Sequence, residues 1–456
     1  MEKITEIKSL IKSLKTMNIL KYSLFCIVVL FLQLTACNKK TNNSTSEASN
    51  SISKYQNIPI DTTRRLIGPC EPSIYINPLN TNEIVAGSVL NTVYTSKDGG
   101  KSWDMKKMKS SLGVFGDPVI TADFQGNFYF AHLSDPDGSG WSSDNLLDRI
   151  VVQRSEDGGK TWSDGGYAGL NRPKDQDKQW LVVNPENNEI YMTWTEFDLY
   201  NSKKEEDKSR ILFSKSTDKG DTWSKGVMIN EFSGDCLDGD NTTEGAVPAV
   251  GANGEIYVAW SYNNKIYFDK SLDGGTTWMK KDIIAATQPG GWTFEIPGIS
   301  RCNGLPITAV DRNSGTIYIN WTDQRNGEKD TDVWITKSTD GGDTWSKPKR
   351  VNDDPAGKQQ FLTWMSIDQT DGTIYTVFYD RRAHEDNATD VYMAYSKDGG
   401  ETFINEKISA ESFKPNAFNF FGDYNNISAH NGIVRPIWTR ADGVRLSVWT
   451  ALIDMK

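Results

Sequence analysis

Ser96-Lys97-Asp98-Gly99-Gly100-Lys101-Ser102-Trp103 decides the reading of this chain, because it returns five more times. The copies are SEDGGKTW from Ser155, STDKGDTW from Ser216, SLDGGTTW from Ser271, STDGGDTW from Ser338 and SKDGGETF from Ser396. A fixed period of this kind means one supersecondary unit per repeat. Within each copy the Asp can cap nearby backbone N–H groups, Gly supplies the positive φ of a tight reversal, and the closing Trp or Phe can bury its ring between layers. The motif therefore reads as a turn between antiparallel strands. Six equivalent Asp residues cannot all face one ligand, so they are not read as catalytic or metal-binding.

The segments between the turns alternate apolar and aromatic residues with period two, as strands covered on both faces do. Pro72-Ser-Ile-Tyr-Ile, Pro118-Val-Ile-Thr-Ala, Trp180-Leu-Val-Val, Val247-Pro-Ala-Val, Leu305-Pro-Ile-Thr-Ala and Trp364-Met-Ser-Ile read as innermost strands. Second strands follow, such as Glu189-Ile-Tyr-Met-Thr-Trp194 and Thr316-Ile-Tyr-Ile-Asn-Trp321. After the sixth turn, Tyr424 to Ala429, Ile433 to Trp438 and Val444 to Ala451 make a seventh set that lacks one strand. Ile58 to Ile67 has the position to donate it and to close the ring.

The repeat is identified as the Asp-box, or bacterial neuraminidase repeat, and from Leu66 onward the chain resembles the sialidase superfamily of β-propellers. The fold class is accordingly all-β, a single propeller closed by an N-terminal strand. The strand count favours seven blades, with the family's six as the alternative.

The composition agrees with one folded body. The 456 residues include 38 Gly and 15 Trp, with 11% aromatic and 24% charged residues, which does not fit a disordered chain. A net charge of −10 without a basic patch argues against nucleic acid as a partner. Five of the Trp residues close Asp-boxes, so the aromatic richness reports blade packing first.

Ile19 to Ala36 is an apolar run with Lys21 near its start, closing on Leu34-Thr35-Ala36-Cys37. Those are the parts of an export signal, and the tetrapeptide resembles the lipobox of bacterial lipoproteins, which implies lipidation of Cys37. Met17 is a plausible start, and a plain membrane anchor is the alternative. The expected organisation is a signal peptide over 1–36, a polar tether over 37–57 and the propeller over 58–456. The location is then the cell envelope, periplasmic or on the outer surface, for a lipid-anchored monomer.

A propeller places its site on the rim opposite the Asp-boxes, around the central funnel. Residues entering the inner strands there are acidic: Glu71, Asp117, Asp177, Glu244 and Asp423. Crowded carboxylates raise one another's pKa, which yields the protonated acid that glycoside cleavage needs. The plain alternative is that they satisfy strand N–H groups and pair with Arg. The resemblance implies a Tyr nucleophile at the last inner strand, which Tyr424 matches, and a Glu that polarises it, which Glu244 matches. The family's Arg triad is not at its usual places. Cys70-Glu71-Pro72 stands where Arg-Ile-Pro belongs, and Trp260-Ser261-Tyr262 carries no Arg. Arg325, Arg381 or Arg382 would have to bind an acidic sugar from other blades, with Asp423 beside them.

Other constellations are sparse. His132 ends a second strand and is a candidate base of the lyase kind, against a surface hydrogen-bonding role. Asp235, Asp238 and Asp240 offer oxygen ligands for Ca²⁺ without the full loop spacing. Cys236 and Cys302 lie in successive loops and are the disulfide candidates, leaving Cys70 free. No Ser-His-Asp order, zinc spacing or phosphate loop appears, so no metal or cofactor is expected. Three functions follow: a sialidase-like glycoside hydrolase on an acidic glycan, a propeller that binds glycan or protein without chemistry, or a polysaccharide lyase on a uronate.

Overall fold

The computed structural model describes residues 54–65 and 67–455. The expected signal peptide, Cys37 and nearly all of the tether lie outside them. Seven four-stranded antiparallel sheets repeat along the chain, and no α-helix occurs among the described residues. Inner strands begin at Ser73–Ile76, Val119–Ala122, Asp175–Val183, Glu244–Val250, Ile307–Asp311, Gln360–Asp368 and Asn426–His430, one for each of blades one to seven. The count of seven sets aside the six-bladed alternative.

Blade seven is closed by the N-terminal segment. Gln56–Asp61 pairs antiparallel with Arg445–Asp454 as the outermost strand, Gln56 opposite Leu452 and Pro59 opposite Trp449. The strand therefore starts two residues before the expected Ile58 and stops at Asp61. The register shifts between Pro59 and Asp61, and the ladder ends at Asp61 opposite Val448, where the carboxylate accepts from Thr63 Oγ1 at 2.6 Å and Tyr94 OH at 2.5 Å. Tyr55 is already buried, so the tether ends earlier than 57.

Each Asp-box makes the same serine and aspartate knot, and in four of the six the closing Trp adds an indole bond. In the first, Gly100 N donates to Ser96 Oγ at 2.8 Å, Ser102 N and Oγ donate to the Asp98 carboxylate at 2.9 and 2.6 Å, and Trp103 Nε1 donates to Gly100 O at 2.9 Å. In the fourth and fifth, the hydroxyls of Thr277 and Thr344 hold the carboxyls of Asp273 and Asp340 down at about 2. These Asp residues are fully committed to the turn, as the sequence indicates. A basic residue before the box serine joins neighbouring blades: Lys215, Lys270 and Lys337 Nζ donate to the carbonyls of Gly274, Gly341 and Gly399 in the next box at 2.9, 2.8 and 2.9 Å. Arg435 Nε closes the circle from blade seven onto Gly99 O at 2.7 Å.

The second glycine of the box abuts the preceding blade. A Cβ on Gly342, at φ +89°, would lie 2.2 Å from Phe268 Cε1. Gly342→Ala thus combines left-handed strain of about 1–2 kcal/mol with overpacking of about 1–3 kcal/mol. Gly315→Ala, at φ +72° with nothing within 4 Å, carries only the strain. The urea midpoint is expected to fall at least twice as far for the first as for the second.

The two faces now differ in character. Turns from inner to second strand share the Asp-box face, as Gly99 N bonding to Asn82 O shows. Chain entries into the inner strands gather on the opposite face, around the channel axis.

Candidate functional site

The inner strands do not enter the sheets smoothly. In blades three, four and six the register slips between Asp177 and Trp180, Glu244 and Val247, and Phe361 and Trp364. The residue inside each bulge has positive φ: Lys178 at 53°, Gly245 at 77° and Leu362 at 49°. Blades one and two do the same with Glu71 at 50° and Asp117 at 47°. Both precede a proline, which already disfavours the right-handed helical region. Left-handed backbone at a non-glycine residue costs about 1–2 kcal/mol. Three such residues with charged side chains on one ring around the axis concentrate strain where function is usually found.

That ring is a charge network. Lys178 Nζ lies 2.5 Å from Asp423 Oδ2 and 3.6 Å from Asp117 Oδ2. Arg301 grips Asp423 through Nε to Oδ1 at 2.8 Å and through its second nitrogen to Oδ2, while its NH1 reaches Asp238 Oδ2 at 2.6 Å. Tyr200 OH donates to the same Asp238 oxygen at 2.8 Å. Asp423 N donates to Glu71 Oε1 at 3.0 Å, and Lys178 N to Asp177 Oδ1 at 2.8 Å.

Proton affinities in the network diverge. Burial, reinforced by Asp117, pushes the Glu71 and Asp177 carboxyls well above the usual range. Burial and Asp238 do the same for Glu244. Burial would also raise Asp423, but Lys178 and Arg301 hold it well below the usual range. Neighbouring carboxyls with proton affinities driven apart are the arrangement from which acid and base roles are built.

A cavity of about 410 Å³ opens onto this ring, lined by Glu71, Asp117, Asp177, Lys178, Tyr200 and Arg301 on its polar side. Aromatic rings frame its mouth. Trp141 is 70% exposed, stacks on Tyr200 at 6.0 Å and meets Phe115 edge-on at 6.0 Å. Phe420, 39% exposed, stands across from them under the Arg301 guanidinium at 5.4 Å. Exposed rings beside convergent polar groups suit a ligand with apolar faces and hydroxyl edges.

The structure separates the expected residues into two groups. Glu71, Asp117, Asp177 and Asp423 do converge on the funnel. Tyr424 and Glu244 do not form a pair. Tyr424 is 3% exposed, with its ring against Trp180 at 5.1 Å and its hydroxyl 3.4 Å from Pro118 O. Tyr424 feels Glu71, Asp117, Lys178 and Asp423, and Glu244 feels Asp238, Lys178 and Asp177, so the two share the Lys178 charge but neither is bonded to the other. Neither lines the cavity.

The arginine clamp is likewise not assembled. Arg325 is held by Asp323 at 2.5 Å and stacks on Trp334 at 4.3 Å. Arg382 pairs with Asp380 at 2.8 Å and stacks on Tyr392 at 4.2 Å. Each is tied to the second strand of its own blade and also reaches back toward the preceding one, Arg325 to Thr287 O at 3.1 Å and Arg382 to Asp353 at 2.5 Å. Arg381, 2% exposed, lies over Phe361 and donates to Thr389 Oγ1 at 3.1 Å.

His132 does not face the rim. It is buried within blade two, its Nδ1 against Leu133 O at 2.8 Å, and burial lowers it to about 4. Cys236 and Cys302 are not bonded: all three cysteines among the described residues are free and buried. Cys236 sits by the backbone of Leu199 and Asp198, Cys302 beside Asn303 O and the backbone of Leu362, so they face different neighbours. The acidic loop spends its carboxylates separately, Asp235 on Thr242 Oγ1, Asp238 on Arg301 and Asp240 on Thr293 N.

Lys178 and Arg301 went unread in the sequence, as did Tyr200 and the aromatic lip. Lys178 hides within Asp175-Gln-Asp-Lys-Gln, and only the bulge turns it toward the axis.

No known family's sequence profile matches the chain. A xyloglucanase from a Paenibacillus species is 26% identical over 272 residues, 57% of this chain and 23% of that protein. A xyloglucanase from Acetivibrio thermocellus is 26% identical over 176 residues, 36% of this chain and 19% of that protein. The chain thus spans about a fifth of the length of the curated relatives it matches. Among solved structures, an ulvan lyase bound to a repeat of GlcA and Rha3S superposes with a TM-score of 0.55 at 13% identity, covering 88% of this chain and 96% of that one. A Hadza microbial sialidase gives a TM-score of 0.47 at 14% identity over 81% of this chain and 73% of its own. The two xyloglucanases and the ulvan lyase carry glycan-acting names, and what the chain shares with the lyase is the fold.

Proposed function

We propose that this protein is a glycoside hydrolase that cleaves an uncharged glycan in the funnel, as a lipid-anchored component of the cell envelope. The observation that carries the reading is that Asp117 and Asp177 line one cavity, with the Asp177 carboxyl pushed well above the usual range by burial and an aromatic lip above them. In this scheme the Asp177 carboxylic acid delivers its proton to the glycosidic oxygen as the C–O bond breaks. Asp117 takes a proton from the water that attacks the anomeric carbon. Trp141 and Phe420 carry sugar faces. Glu71 fixes the Asp423 backbone, and Asp423 gathers Lys178 and Arg301.

Charge favours an uncharged substrate over the acidic one expected from the resemblance. Six carboxyls, Glu71, Asp117, Asp177, Asp238, Glu244 and Asp423, face two cations, Lys178 and Arg301, and both cations are already engaged. With three of those carboxyls pushed toward the neutral form, what disfavours an anionic sugar is the lack of an unengaged cation to receive it. The xyloglucanase relatives support the same direction. Tyr424, buried beneath the funnel floor, is not a nucleophile in this scheme.

The test is product analysis on xyloglucan, on a uronate polymer and on a sialylated oligosaccharide with the full chain. New reducing ends from xyloglucan support the reading. Unsaturated uronate would instead make the protein a lyase, released sialic acid would restore the acidic-sugar reading, and binding without products would make it a capture module.

The pH profile gives a further check. Because Asp177 must be protonated and its pKa is raised, kcat/KM should fall as pH rises through that value. Lys178 pulls the Asp177 pKa down against burial and Asp117, so in Lys178→Met the alkaline limb should move to higher pH.

A further inference from the structure

The other end of the axial channel carries a second polar site. On the Asp-box face the ends of the inner strands of all seven blades enclose a cavity of about 200 Å³, lined in part by Tyr75, Phe124, Arg312, Met365, Gln369 and His430. Arg312 is the one Lys or Arg in that lining. It follows the inner strand of blade five, and its guanidinium reaches across to the ring of Phe124 beyond the inner strand of blade two, 5.5 Å from the centroid.

Among the described residues it makes no ion pair, and the nearest acid, Asp311, acts on it only at a distance. Among the described residues the Arg312 guanidinium has no carboxylate partner, and only its backbone N is bonded, to Gln369 Oε1 at 3.0 Å. The adjacent Asp311 is committed to its own turn, accepting from Asn313 N at 3.0 Å and Ser314 Oγ at 2.6 Å. Asp368, nearby on the same face, accepts from Asn431 N and Gly432 N at 3.1 and 2.7 Å. Every other half-buried or buried Arg in the propeller except Arg381 bonds a carboxylate, yet this one stands in a cavity with its donors unspent. A guanidinium fork with five donors is shaped for an oxoanion.

We propose that the Asp-box mouth of the channel binds a small oxoanion, a phosphate, sulfate or carboxylate group, with Arg312 as its cation and Tyr75 and His430 as flanking polar groups. Burial supports the assignment, since it lowers Arg312 below the ordinary arginine value and keeps the Tyr75 phenol protonated as a donor. An anion there would tie blade five to blades one, two and seven through the axis. The site lies at the opposite end of the channel from Asp117 and Asp177, so it stands or falls independently of the hydrolase reading.

The test is a thermal titration of the full chain with inorganic phosphate, sulfate, acetate and glycerol phosphate at constant ionic strength in chloride. Phosphate or sulfate at about a hundredfold over Kd should raise Tm by ~3 °C and saturate. The same titration of Arg312→Gln should be flat, and Arg312→Lys, which keeps charge but not the fork, should respond weakly. Glycerol phosphate separates a free ion from an esterified group: a response equal to that of phosphate means the cavity admits an ester, and none means a free ion. Broadening of the ³¹P signal of phosphate by the wild type alone, at stoichiometric protein, reads binding without reference to stability. An unbroadened signal together with no saturable Tm response, or equal responses in wild type and Arg312→Gln, would overturn the proposal.

Discussion

Asp177→Asn is expected to lower kcat on a cleavable glycan by about 10²–10⁴-fold, the usual contribution of a positioned general acid, with KM little changed. The amide is isosteric but has no proton to deliver. Stability should not fall with it. Asp177 is buried and its carboxyl is pushed upward by burial and by Asp117, so neutralising it removes a group that resists ionisation in the folded state. The sign is definite: a raised carboxyl favours the folded state at low pH and disfavours it as pH climbs toward the folded pKa. Asp177→Asn should therefore be at least as stable as wild type near neutrality while being nearly inactive. Asp117→Asn should lose activity on the same scale. Tyr424→Phe should leave turnover intact, since that hydroxyl touches Pro118 O and not the cavity.

The second large effect belongs to Asp423. Its carboxylate bonds Lys178 at 2.5 Å and Arg301 through both oxygens, and its own backbone is held by Glu71 and by Asn303 Nδ2 at 3.0 Å. Removing one partner of a buried ion pair leaves an uncompensated charge and typically costs about 3–5 kcal/mol. Asp423→Ala leaves Lys178 facing only Asp117 at 3.6 Å and releases one side of Arg301. A fall in the denaturant midpoint equivalent to about 3–5 kcal/mol is expected. Because Asp423 is held ionised by those cations against burial, wild-type stability from this group is present above the ordinary carboxylate range and lost as pH falls through its depressed value. The wild-type advantage over Asp423→Ala should accordingly shrink under strong acid.

The fold was legible because its signal is local and repeated. The Ser, Asp and Gly of each box bond within eight residues of one another, so every copy states the same turn in the sequence. The seventh blade was legible as an incomplete set of strands; its closing strand starts two residues before Ile58 and stops at Asp61, six residues before Ile67, where the side chain turns to Thr63 and Tyr94. The acidic ring was legible for the same reason as the fold: Glu71, Asp117, Asp177 and Asp423 recur at one place in the repeat. What escaped depends on contacts between blades. Lys178 is one position past Asp177, and a bulge rather than any motif aims it inward. Arg301 comes from the loop before blade five and Trp141 from the loop inside blade two, and only ring closure brings them to one cavity. Arg325 and Arg382 misled in the opposite sense. Their Asp-x-Arg spacing, Asp323 to Arg325 and Asp380 to Arg382, is the signature of a local ion pair, and the pairs are what the folded chain contains.

The central chemical proposal is that water is added across a glycosidic bond in the funnel and that Asp177 supplies the proton. Mass analysis of the products formed from xyloglucan oligosaccharides in heavy-oxygen water, with wild type and Asp177→Asn side by side, tests it most directly. Wild-type fragments should carry one heavy oxygen at the new reducing end, and the variant should yield none on the same timescale. Intact oligosaccharide with the wild type, or equal cleavage by the two proteins, would contradict it.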